Sequence, residues 1–164
     1  MNNSLKITTP SDREIRMTRV FDAPRRLVWE AYTKPELLKR WLLGPPGWTM
    51  EVCEVGLTVG SPYRYVWRNT HGTEMGMGGV VLEIVPPERI VATEKFDNPW
   101  YEGEAVGTVL LTEADGKTTL TQTLRYASKE VRDSVLKSPM EHGMVTTYDR
   151  LAELLASTLA QETR

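Results

Sequence analysis

Glu94 and Gln122 are the two polar side chains whose sequence positions could support chemistry inside a fold. Each lies in a segment that alternates between apolar and polar residues. The apolar residues in the same phase are Ile90, Ala92 and Phe96 around Glu94, and Leu120, Leu124 and Tyr126 around Gln122. Because alternate side chains of a strand point to the same face, both polar groups would lie on the apolar face of a sheet. A carboxyl group there is a candidate ligand anchor, or an acid or base with a raised pKa.

The same pattern allows two other interpretations of Glu94. The strand could be displaced by one residue, which would turn the side chain to the outer face. Glu94 could also lie at the wet opening of an internal space, beside a basic partner. We therefore take Glu94 as the candidate catalytic residue with these alternatives open.

Seven segments with alternating or β-branched character predict strands. They are Glu14–Phe21, Met50–Val55, Tyr63–Asn69, Glu74–Val85, Arg89–Asp97, Ala105–Glu113 and Thr118–Tyr126. Most of the links between them are short and turn-like, which predicts antiparallel neighbours. The fourth segment contains three glycines. A bulge there would let Met75 and Met77 face inward together with Leu82 and Ile84.

Helical periodicity surrounds the strands on both sides. A helix begins near Asp22-Ala23-Pro24, and "KPELLKRWLLGPPGW" predicts a second, two-turn helix from Pro35 that carries Trp41. A helix over Lys129–Lys137 follows the last strand. The segment Ser138–Glu141 resembles a capping box and predicts the start of a long C-terminal helix.

These elements predict an α+β fold in which a seven-stranded curved antiparallel sheet wraps around the long C-terminal helix, with two short helices after the first strand. We expect a single domain over residues 1–164, with residues 1–11 as a flexible polar tail. One helix about 10 Å wide cannot fill a curved sheet of this size, so the short helix with Trp41 should cover one end of an internal space.

Three motifs within this order carry a family resemblance: "RVFDAPRRLVWEAYTKPELLKRWL" at Arg19–Leu42, "VPPERIV" at Val85–Val91 and "GMVTTYDRLAELL" at Gly143–Leu155. With them the chain resembles the START-like helix-grip (SRPBCC) superfamily, and within it the bacterial proteins similar to the activator of the heat-shock chaperone ATPase. The resemblance covers nearly the whole chain and implies a mostly apolar internal cavity.

The inward phase of the strands and the apolar face of the long helix predict which side chains line that cavity. Methionine is suited to an irregular apolar ligand, although at helical spacing it commonly only fills gaps in a core. The predicted lining residues are Trp41, Trp48, Tyr63, Tyr65, Trp67, Met75, Met77, Phe96, Val109, Gln122, Tyr126, Met144 and Tyr148.

Composition and motifs exclude several classes of protein. The chain is 40% hydrophobic and 26% charged with a net charge of −2, which argues against a nucleic-acid partner. No apolar run of about 18 residues predicts a membrane span, and no signal segment begins the chain, so we expect a cytoplasmic protein. Cys53 is the only cysteine, and neither histidine has metal-ligand spacing, so we expect no disulfide, metal or cofactor. The "GMGG" run lacks the third glycine of a dinucleotide fingerprint.

We expect a protein that binds a small hydrophobic molecule in its cavity, as a monomer or a weak homodimer. Two alternatives remain open at this stage. One is an enzyme of the polyketide-cyclase kind, with Glu94, Tyr65, Gln122 or Tyr126 as acid or base. The other is a stress-response or chaperone-accessory interaction module, whose outer surface would contact a partner such as a chaperone and whose cavity would be merely structural.

Overall fold

A single antiparallel sheet dominates the computed structural model, which describes residues 4–99 and 101–163 and has eight strands in this part of the chain. The strands are β1 Lys6–Thr8, β2 Glu14–Phe21, β3 Trp48–Glu54, β4 Pro62–Asn69, β5 Glu74–Val85, β6 Arg89–Phe96, β7 Ala105–Ala114 and β8 Lys117–Arg125. Their order across the sheet is β1-β2-β8-β7-β6-β5-β4-β3. Consecutive strands from β3 to β8 are neighbours, as the short turns between them require.

Four helices complete the described part of the fold: α1 Arg25–Thr33, α2 Pro35–Trp41, α3 Lys129–Lys137 and α4 Met140–Glu162. Pro35 occupies the first turn of α2, where a missing amide hydrogen has no consequence. The long helix α4 packs against α1 and α2. This is the predicted helix-grip architecture, and the predicted α+β class is confirmed.

The sheet has one strand more than the seven that the sequence predicted. The additional strand β1 lies within residues 1–11, which we expected to be a flexible tail. Its three residues have no apolar periodicity of their own, and they are held by antiparallel pairing with Arg16, Met17 and Thr18 of β2. Residues 1–3 of the expected tail lie outside the described residues.

The predicted capping box at the start of α4 is also wrong. The Ser138 hydroxyl donates a hydrogen bond to the Val135 carbonyl and so ends α3. Pro139 precedes α4, and no side chain caps the first turn of that helix. Because the link between the two helices is so short, Ser138 caps the C-terminus of α3 and does not cap the start of α4.

The bulge in β5 lies after the glycines rather than among them. The register with β6 shifts between Val81 and Glu83. Met77 and Val81 are buried in one continuous phase, whereas Leu82 is 47% exposed, contrary to its predicted inward position. The glycines have a steric role instead, because a Cβ at Gly79 would overlap the Thr93 carbonyl of the neighbouring strand.

Buried apolar residues form separate clusters around the edges of the space between sheet and helices. One cluster joins α1, α2 and α4 to β7 and β8 through Trp41, Leu111, Leu120, Tyr148 and Leu151. A second lies between β2 and α3, and a third lies between β3, β4 and β5. The sheet and α4 are thus held apart at their rims, which leaves a cavity between them.

Candidate functional site

A cavity of about 490 Å³ lies between the inner face of the sheet and helix α4. Strands β2 and β4 to β8 line it from the sheet, and all four helices contribute side chains to the rest of its wall. Most of the lining side chains are aliphatic, aromatic or methionine. A volume of this size falls in the range of about 300–1,000 Å³ that is typical of small-molecule sites.

The structure places twelve of the thirteen predicted cavity residues, and Glu94, around this one cavity. Trp48 is the exception. It begins the edge strand β3 opposite Asn69 and packs on the cluster of Met50, Trp67 and Met77 instead. Its strand phase is inward, but its position at the end of an edge strand places it beyond the lining.

Helix α2 covers one end of the cavity through Trp41, which is 1% exposed. The Trp41 indole donates to the Ala31 carbonyl at 2.9 Å, and its ring packs edge-on against Tyr32. From the sheet, the Trp67 indole donates to the Leu42 carbonyl at 2.7 Å. The two tryptophans therefore tie α2 to α1 on one side and to β4 on the other, which explains why so short a helix is stable here.

Glu94 lies in the cavity wall on β6, between Ala92 and Phe96 of the same face. Its neighbour on β7 is Ala105, which is fully buried. No basic side chain in residues 4–99 and 101–163 forms an ion pair with it. Burial disfavours the carboxylate form and raises the pKa of Glu94 from 4.5 to about 7.

Aromatic rings surround this carboxyl group. Its charge opposes ionisation of four tyrosines, whose pKa values burial already raises above their ordinary range. These tyrosines are Tyr63, Tyr65, Tyr101 and Tyr126. Ring contacts join them into two pairs. The ring centres of Tyr63 and Tyr65 are 5.3 Å apart, and those of Tyr101 and Tyr126 are 5.4 Å apart. Glu94 is thus the acidic group of an otherwise aromatic part of the wall.

Gln122 is separated from β6 by β7 and belongs to another part of the lining. Its side-chain carbonyl accepts a hydrogen bond of 2.6 Å from the Tyr148 hydroxyl on α4. Burial, the main cause, raises the pKa of Tyr148 far above its ordinary value, so the hydroxyl stays a donor at all physiological pH values. This bond connects β8 to α4 across the cavity. It favours a structural role for Gln122, which holds the helix over the sheet.

Several lining residues were not among those predicted. Tyr101 lies in the loop before β7, where no periodicity marks it, and Tyr32 belongs to the apolar stripe of α1. Val135 and Met140 line the cavity from α3 and α4. No local signal in the loop "NPWYEGE" could have placed Tyr101, because its ring contacts Tyr126, which is distant in the sequence.

Other kinds of site find no support in the described residues. Among residues 4–99 and 101–163, no cluster of three metal-ligating side chains is present. Burial raises the pKa of the half-buried Cys53 thiol, which makes it a poor nucleophile. In the same described part of the chain, every helix is too short or too polar to cross a membrane.

Comparison with known proteins relates this architecture to others. Residues 22–156 match the family described as "Activator of Hsp90 ATPase homolog 1-like protein". A Rhodobacter sphaeroides protein of known structure is 33% identical, with 93% of this chain and 98% of that chain covered and a TM-score of 0.88. A Nitrosomonas europaea protein is 25% identical over 92% of this chain and 98% of that chain, with a TM-score of 0.80.

A Silicibacter pomeroyi protein described as AHSA1 is 21% identical over 88% of this chain and 99% of its own, and its TM-score of 0.70 shows the shared fold alone. No curated protein matches the sequence. The family match covers most of the chain, and the related structures share its fold over most of their length. The chain therefore belongs to the family of activator of Hsp90 ATPase homolog 1-like proteins.

Proposed function

We propose that this protein binds a small hydrophobic molecule in the cavity between the sheet and α4. The observation that carries the proposal is the cavity itself, about 490 Å³ of mostly apolar interior that the chain leaves unfilled. Concave sites of this volume with mostly apolar and aromatic walls are where proteins commonly bind small molecules. The cavity supports a small molecule, rather than a chaperone, as the partner.

Native mass spectrometry of protein purified from its own host is the direct test. A co-purifying small molecule, seen as a mass increment lost on denaturation, is the expected result. A second test uses N-phenyl-1-naphthylamine, an uncharged dye that fluoresces in apolar surroundings, and its displacement by decan-1-ol. Failure of both the increment and the dye binding would overturn the proposal.

An enzyme that acts on the bound molecule is the second candidate, and the position of Glu94 favours it. A cavity carboxyl group with a pKa of about 7 can both give and take a proton at neutral pH. If the co-purified molecule changes mass on incubation with the protein and not with Glu94→Gln, the protein is an enzyme. If both proteins leave the molecule unchanged, the binding proposal stands alone.

We further propose that the protein works in the cytoplasm as a monomer or a weak homodimer, without a metal or organic cofactor. Support comes from the composition and from the chemistry of the lining, which offers apolar contacts rather than metal ligands. Sedimentation velocity at micromolar concentration tests the oligomeric state. A stable assembly larger than a dimer would contradict this part of the proposal.

A further inference from the structure

The charge of the cavity wall is unevenly distributed. Glu94 is the only lining residue with an ionisable acidic or basic side chain other than tyrosine, among residues 4–99 and 101–163. The other polar lining side chains belong to threonine, glutamine, tyrosine and tryptophan, which are uncharged at neutral pH. A ligand held beside Glu94 therefore meets one negative charge, or one carboxylic acid, and no positive charge from the described wall.

The surroundings of Glu94 are those that a cation prefers. The faces of aromatic rings carry partial negative charge and attract ammonium groups within about 6 Å. Phe96 follows Glu94 on the same face of the strand. Its ring contacts the Tyr101 ring edge-on, with 6.2 Å between the two ring centres. In the described part of the chain, Tyr65 and Tyr126 make no side-chain hydrogen bond, so their hydroxyls remain available to a ligand.

We infer that the cavity selects a molecule with an apolar body and one basic amine, whose ammonium group pairs with the Glu94 carboxylate among these aromatic rings. The inference rests on the proposed function and names its ligand class. A fatty acid of the same length would place a second negative charge beside Glu94. A neutral alcohol can donate one hydrogen bond to the carboxylate, but it supplies no positive charge to compensate the buried negative one.

The pH dependence of binding follows from the same geometry. The groups that face Glu94 are the tyrosines Tyr63, Tyr65, Tyr101 and Tyr126 together with the uncharged Ala105. The helix residues that line the cavity, including Val135 and Met140, carry no charge, and the exposed Glu104 acts on Tyr63. Because these tyrosines remain neutral below pH 10, Glu94 is the group of this wall that titrates between pH 5 and 8.

An alkylammonium ion binds the ionised carboxylate, so it must displace a proton from Glu94 below pH 7. Its affinity should rise about tenfold from pH 5.5 to 6.5 and level off above pH 7.5. An alkylamine stays protonated to about pH 10, like a lysine side chain. The neutral alcohol should show no such rise.

Isothermal titration calorimetry with decylamine, decan-1-ol and decanoate at pH 8 tests the inference on the intact protein. We expect decylamine to bind at least tenfold more tightly than decan-1-ol, and decanoate to bind most weakly. Glu94→Gln should abolish the preference for the amine and keep or improve the binding of decan-1-ol. Glu102→Gln removes one exposed acidic charge and should leave the preference intact.

The possible failures are distinguishable. If decan-1-ol binds and decylamine binds no better, or if Glu94→Gln keeps the preference, the amine inference is overturned and the binding proposal survives. If none of the three probes binds at pH 8, the amine inference is overturned. The binding proposal falls as well only if the dye does not bind and no mass increment co-purifies with the protein.

Discussion

Glu94 carries an ionisable group into an apolar wall, and its protonation should therefore affect stability. Its pKa is about 7 in the folded protein and near the ordinary 4.5 in the unfolded chain. The folded state thus binds the proton more tightly than the unfolded state. The contribution of Glu94 to the free energy of unfolding is therefore most favourable below pH 4.5. It should fall by up to about 3 kcal/mol as the pH rises from 4.5 through 7, and then remain level.

Urea unfolding of the wild type and of Glu94→Gln at several pH values measures this effect. The variant keeps the shape and loses the charge, so it should be more stable than the wild type at pH 8 and similar at pH 4. Glu102→Gln serves as the exposed control. NMR titration of the Glu94 carboxyl carbon reports the pKa directly, and an ordinary value with parallel stability curves would place this side chain in water.

At the scale of elements, Gly143 tests whether the first turns of α4 bound the cavity. This glycine lies inside a helix and lines the cavity, and a Cβ built on it would meet no atom within 4 Å. Gly143→Leu should therefore fill part of the space and weaken the binding of N-phenyl-1-naphthylamine at least several-fold. Gly143→Ala should leave dye binding nearly unchanged and stabilise the helix by up to about 1 kcal/mol. Unaltered dye binding in a folded Gly143→Leu variant would show that the ligand lies elsewhere.

Gly79 tests how the strands bring Glu94 into position. The Thr93 carbonyl that a Cβ at Gly79 would overlap also accepts the hydrogen bond of the Tyr63 hydroxyl, and Thr93 directly precedes Glu94. Gly79→Ala should thus push β5 and β6 apart and destabilise the fold by about 1–3 kcal/mol. Gly107→Ala is the matched control, because its Cβ would meet the flexible end of Leu124 at 3.2 Å. Equal urea midpoints for the two variants would refute the steric role.

The elements that the sequence predicted well are those whose side chains alternate over many residues. In Arg89–Phe96 the inward phase was readable because most residues of one phase are apolar and most of the other are polar. Short elements without such a pattern were missed or misassigned. The strand Lys6–Thr8 exists through its pairing with β2, and Ser138 ends one helix rather than starting the next.

The site was predictable to the same extent and for the same reason. Residues on long strands, such as Tyr65 and Phe96, could be placed on the inner face from their phase. Tyr101 lies in a loop, and its direction depends on its contact with Tyr126, which the local sequence does not encode. Leu82 was placed on the wrong face because the position of a bulge depends on the register between two strands.

At the scale of the whole molecule, the cavity divides the interior, yet hydrogen bonds connect its walls. The Tyr148 hydroxyl reaches Gln122 from α4, and Arg150 donates to the Gly44 carbonyl at 2.6 Å. Trp67 joins the sheet to the end of α2. These bonds join parts of the chain that the separate apolar clusters alone would leave weakly coupled, and so favour unfolding as one unit.

Equilibrium unfolding in urea tests this coupling, because the fluorescence of the five tryptophans combines signals from the helical cover, through Trp41, and from the sheet, through Trp67. We expect tryptophan fluorescence and far-ultraviolet circular dichroism to give one transition with the same midpoint. A ligand that bridges the two walls should raise the urea midpoints of both signals together. At 100 times its Kd it should add about 2.7 kcal/mol to the free energy of unfolding. Decylamine at pH 8 is the probe, and Glu94→Gln, which loses the carboxylate that pairs with the amine, should show a smaller gain. Two separate transitions, with only one moved by the ligand, would mean that the cover and the sheet unfold independently.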